Sequence, residues 1–130
     1  MKRLTAVATA VLAALLLAAP ASAGQVTGTT HLDGAPVSGT TVDVDATVKS
    51  AGPVVPYEYA IQNECVFPHR GGSSLQHDDI VSWTDTGPGG VPLATMPIDL
   101  GSVPTGSSCK VFLLHNNVVV KGSTTAYAVG

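Results

Sequence analysis

The chain reads as an all-β domain, an immunoglobulin-like or Greek-key β-sandwich of about seven strands with one disulfide. Three observations predict this: period-two alternation of apolar and polar residues in several segments, a β-favouring composition, and two cysteines set on that pattern. Residues 24–130 hold sixteen valines, twelve threonines, fourteen glycines and eight prolines, and no long run has helical apolar spacing. No helix is expected after residue 23.

The first 23 residues stand apart. Lys2 and Arg3 form a short positive region, residues 4–19 are an almost uncharged run rich in Ala and Leu, and Ala21-Ser22-Ala23 supplies the small residues a signal peptidase accepts. The run is shorter than the roughly 20 residues a bilayer core needs, and Pro20 closes it. The expectation is a cleaved signal peptide over 1–23, then a single secreted domain over 24–130 that leaves the membrane.

Seven strands, A to G, follow in order. Residues 25–32 form an edge strand A, and Asp33-Gly34-Ala35-Pro36 is turn chemistry. Strand B, 40–49, is the clearest: Val42, Val44, Ala46 and Val48 alternate with Thr41, Asp43, Asp45 and Thr47, one side buried and the other wet. Residues 51–56 break the pattern. Strand C, 57–67, puts Tyr57, Tyr59, Ile61, Asn63, Cys65 and Phe67 on one side and Glu58, Gln62 and Glu64 on the other.

Residues 68–79 are polar, contain Gly71-Gly72-Ser73-Ser74, and read as a long loop of the kind that is uncommon unless it carries a function. Strand D, 80–84, bears Trp83, the only Trp, and 85–92 is a second Gly/Pro loop. Strand E, 94–100, turns Met96, Ile98 and Leu100 inward. Strands F, 109–115, and G, 118–129, are joined by Asn116-Asn117, a dipeptide that tolerates the positive φ angles of a two-residue hairpin. Gly122 marks a bulge in G.

In an exported chain an even cysteine count reads as a disulfide. Cys65 lies near the end of C and Cys109 opens F, and in this topology C and F are antiparallel neighbours, so the expected Cys65–Cys109 bridge lies within one sheet. That placement departs from antibody domains, as does the absence of a Trp on strand C.

Charge limits the partners. Without the leader, four basic residues (Lys49, Arg70, Lys110, Lys121) face nine acidic ones, a formal charge of −5. A phosphate-backbone ligand is therefore not expected. Composition, rich in Ala, Gly, Val and Thr and poor in Lys, resembles exported proteins of GC-rich bacteria, which implies no activity.

His69, Arg70, His77, Asp78 and Asp79 form the one dense group of ligand-capable side chains, with Trp83 just beyond. Imidazole and carboxylate share zinc, and paired aspartates hold calcium, yet the spacing matches no metal motif, and a solvated polar loop is the simpler reading. Nucleophile-elbow and zinc-protease motifs are absent, and bridged cysteines leave no free thiol. The expected function is thus a secreted, non-catalytic binding or surface-associated module, monomeric and without cofactor, for an extracellular protein or polysaccharide. Two alternatives are an inhibitor presenting the loops 52–56 or 87–92 to a hydrolase, and a metal-dependent enzyme using His69, His77 and the aspartates.

Overall fold

The computed structural model describes residues 26–50, 57–68, 72–82 and 90–130. The expected leader, the loop 51–56, His69, Arg70, Trp83 and most of the loop 85–92 lie outside the described residues. Nine strands occur among those described, and no helix. They are β1 (Val26–Asp33), β2 (Thr41–Ser50), β3 (Tyr57–Val66), β4 (Ser73–Ser82), β5 (Val91–Pro92), β6 (Met96–Asp99), β7 (Ser108–His115), β8 (Val118–Val119) and β9 (Thr125–Ala128).

Two antiparallel sheets result. In one, β1 and β2 pair along their length, and β5 and β6 take the other edge of β2. The other runs β4-β3-β7, with β8 and β9 sharing the far edge of β7. The alternation read from the sequence decides what lies between them. Val42, Val44, Ala46 and Val48 of β2 and Met96 and Ile98 of β6 join Tyr59, Ile61 and Cys65 of β3 and Val111 and Leu113 of β7 in one buried cluster. Burying a side chain of the Val or Ile kind contributes about 1.5–3 kcal/mol, and here that burial sets which side of each strand faces inward.

The expected pairing of strands C and F is β3 against β7, with Cys65 directly opposite Cys109 and bridged to it. The bridge lies within the five-stranded sheet, its cysteines buried against the core.

Three segments depart from expectation. Residues 68–79 are not a long loop: the chain turns between Phe67 and Gly72, whose backbones bond at 2.9 Å, and returns as β4, a ten-residue strand along β3. Consequently His77, Asp78 and Asp79 sit on a strand, and residues 80–82, the described part of the strand expected over 80–84, are its end. The reason is position. As the edge of its sheet, β4 obtains its order from backbone pairing with β3, so Ser73, Ser74, Gln76, His77 and Asp78 need no apolar alternation. Val91 and Pro92, expected in a loop, add a short strand to β2.

The last strand is likewise divided. After the Asn116-Asn117 turn, where both residues have positive φ (50° and 63°) as the hairpin requires, β8 ends at Val119. The chain then leaves β7, forms a parallel bridge from Lys121 to Thr27 on the other sheet, and returns as β9. Gly122, at φ 79°, makes the return. Gly28 permits the approach: a Cβ there would lie 3.0 Å from the Thr47 carbonyl oxygen and 3.1 Å from Leu113, so a side chain would push its neighbours aside, and the Gly28 N–H reaches the Lys121 carbonyl at 3.2 Å.

Both open sides of the sandwich are stitched by side chains. On one, the Thr30 hydroxyl donates to the Ser123 carbonyl at 2.6 Å, and Thr125 Oγ1 donates to the Thr30 carbonyl at 3.0 Å. On the other, the Gln76 amide donates to the Asp99 carbonyl at 2.9 Å and accepts from the Asp99 N–H at 2.8 Å, in the manner of a neighbouring strand.

Candidate functional site

The two outer faces differ in chemistry. On the β1-β2-β6 sheet, the outward side chains are Thr27, Thr29, His31 and Asp33 of β1 opposite Lys49, Thr47, Asp45 and Asp43 of β2. Apart from Pro97 opposite Asp43 and Pro92 opposite Thr47, this face is polar, and Thr95 Oγ1 donates to Asp45 Oδ1 at 2.7 Å.

The outer face of the other sheet is mixed. Strand registers set its side chains in rows: Asp79, Ala60, Leu114 and Val119; then His77, Gln62 and Phe112; then Leu75, Glu64 and Lys110; then Ser73, Val66 and Ser108. Three large apolar residues of this face stand in solvent, Leu75 at 65 % exposure, Val66 at 62 % and Val119 at 51 %.

The middle rows satisfy one another. Gln62 Nε2 donates to Glu64 Oε1 at 2.8 Å, Lys110 Nζ lies 3.4 Å from Glu64 Oε2, and the same ammonium lies 5.7 Å from the centre of the Phe112 ring. Phe112 is buried although its strand position faces outward. The Lys110 charge is thus already committed.

The first row contains a depression. Ala60 stands between Asp79 and Leu114 and projects only a methyl group, so its taller neighbours leave a cup of about 150 Å³ above it. Glu58 and the Asn116-Asn117 turn complete the wall. The turn is anchored to this place by the Asn116 N–H, which donates to the Glu58 carbonyl at 3.3 Å. His77 stands beside the cup, its Nε2 2.7 Å from Asp79 Oδ1. No hydrogen bond or ion pair engages the Glu58 carboxylate among the described residues.

The residues singled out in the sequence are therefore divided. His77 and Asp79 lie together on the outer face, while Asp78, one residue from each, points to the opposite side of β4. There it lines an open groove of about 410 Å³ with Gln76, His77, Met96 and Pro97, between the edges of the two sheets. Strand geometry separates what a loop would have let converge, and among the described residues no group of three His, Cys, Asp or Glu is placed to hold a metal ion. Glu58, Ala60 and Leu114 were not singled out by sequence, and the turn asparagines only as a hairpin, yet the disulfide carried the signal. Once Cys65 and Cys109 are opposite, the antiparallel register sets Ala60 beside Leu114.

Among the described residues no helix is long and apolar enough to cross a membrane. In comparisons with known proteins, the chain matches no family model, no curated protein and no solved structure.

Proposed function

We propose that the chain is a secreted, non-catalytic binding module with an immunoglobulin-like sandwich, and that the outer face of its five-stranded sheet is the recognition surface. One observation carries this: among the described residues, only this outer face exposes large apolar side chains, Leu75 and Val66 on adjacent strands and Val119 beside Leu114 at a cup with ionisable walls. Mixed apolar and polar surfaces of this kind mark interaction sites when they are contiguous. Secretion is supported by the leader pattern of residues 1–23 together with the Cys65–Cys109 bridge, since such bridges persist in oxidising compartments. The immunoglobulin-like assignment is supported by strand order, β1-β2-β6 facing β4-β3-β7-β9.

The partner is an extracellular protein or a cell-surface polysaccharide. Retention of the protein on cell-wall material and on immobilised secreted proteins tests the reading. Leu75→Glu and Val119→Glu release the protein, whereas Thr29→Glu and Thr47→Glu, on the opposite face, leave retention unchanged. Equal retention of all four variants would sink the proposal.

A further inference from the structure

We infer that the cup above Ala60 is a site for an alkylammonium group, such as a lysine side chain. The inference rests on the binding-module reading and names the chemistry recognised at one end of its surface. Size comes first. The cup, about 150 Å³ and open to solvent, has room for the five non-hydrogen atoms of a butylammonium group or of a lysine side chain beyond its Cα.

Charge and polarity give the second argument. Glu58 and Asp79 stand on the wall, Asp79 with the His77 imidazole at 2.7 Å; among the described residues no lysine or arginine shares it, and the nearest lysine of the face, Lys110, lies 3.4 Å from Glu64 and over the Phe112 ring. An anion is repelled there, and a neutral polyol leaves the Glu58 carboxylate without a counter-charge. An ammonium group donates three hydrogen bonds, to Glu58, to Asp79 and to the side-chain oxygens of Asn116 or Asn117. The floor provides the third. Ala60 and Leu114 are apolar and accept the methylene stem, as lysine stems pack on apolar surface while their heads stay polar.

The test is an NMR titration of the isotopically labelled protein with n-butylammonium chloride at constant ionic strength, with n-butanol as the uncharged counterpart. The expected result is saturable shifts at Ala60, Leu114, Asn116 and Asn117 with the amine, and binding of butanol at least about tenfold weaker, a difference of about 1.4 kcal/mol. Glu58→Gln and Asp79→Asn each weaken amine binding about tenfold, on the scale of a charge-assisted hydrogen bond. Ala60→Leu fills the cup without changing charge and abolishes the shifts. Asp43→Asn removes the same charge from the opposite face and changes nothing.

Parallel titrations with Nα-acetyl-lysine methylamide and with 1,4-diaminobutane distinguish a protein side chain from a free amine as the better ligand, and preferred binding of either supports the site. Shifts that do not saturate, that centre on Asp33, Asp43 and Asp45, that butanol reproduces, or that persist in Ala60→Leu overturn it. The outcome separates from that of the broader reading: amine binding without retention on any surface leaves the cup standing and removes the module, and retention without amine binding does the reverse.

Discussion

Tyr127 donates its hydroxyl proton to the Oδ1 of Asn63 at 2.5 Å, reaching from β9 across β7 to β3. Asn63 is fully buried beside the disulfide, its Nδ2 3.5 Å from Cys65 Sγ. A polar amide at this depth persists because its oxygen has that partner. Tyr127→Phe leaves the oxygen buried and unpaired, and chemical denaturation is expected to show a loss of about 1–3 kcal/mol. Tyr59→Phe is the counterpart: the Tyr59 hydroxyl is buried with no hydrogen-bond partner among the described residues, so its removal is neutral or stabilising. If the two substitutions cost the same, the distinction between a paired and an unpaired hydroxyl has no energetic content here.

Stability is expected to fall toward both ends of the pH scale, for opposite reasons. Burial pushes Tyr59 above the usual tyrosine value of 10.0, and it raises Tyr127 as well. Groups with raised folded values hold their full contribution below pH 10 and lose it as pH climbs through those values, because the unfolded chain releases its protons first. His115, stacked on Tyr59 with ring centres 4.7 Å apart, is lowered by burial from 6.5. Its contribution is therefore complete above pH 6.5 and is lost as pH falls through the lowered value. Melting curves from pH 4 to 11 check both limbs, and His115→Phe is expected to flatten the acid one. An acid limb unchanged in that variant assigns it to other groups.

Replacing both cysteines with alanine should cost about 4 kcal/mol in the chain-entropy account, since the bridge closes a separation of 44 residues. Because Cys65 and Cys109 are already register partners in the β3–β7 ladder, the variant is expected to keep the same sheet and lose only stability. Far-ultraviolet circular dichroism with urea unfolding reads the two quantities separately. A changed spectrum at low temperature would mean that the bridge sets the register.

Ser123 takes the place of a strand where β8 stops. Its Oγ accepts the Leu113 N–H at 3.1 Å and donates to the Val120 carbonyl at 2.6 Å, and the residue is fully buried. Ser123→Ala strands the Leu113 N–H in the core and should cost about 1–3 kcal/mol. Amide hydrogen exchange at Leu113 faster than at its neighbour Val111 is the local signature; unaltered exchange and stability would show that water replaces the hydroxyl.

By itself, the sequence determined the strands whose side chains alternate, β2, β3 and the start of β7, because one apolar side must leave water whatever the topology. It also determined the bridge between Cys65 and Cys109 and the hairpin at Asn116-Asn117, where local chemistry suffices. Tertiary structure alone decided β4, a polar strand ordered by its neighbour's backbone, and with it the separation of Asp78 from His77 and Asp79. It likewise decided the excursion of Lys121 to Thr27 and the cup over Ala60, features that depend on which small side chain falls beside which large one across strands distant in the chain. Alternation is a property of one segment, whereas a depression belongs to three strands at once, and only their register creates it.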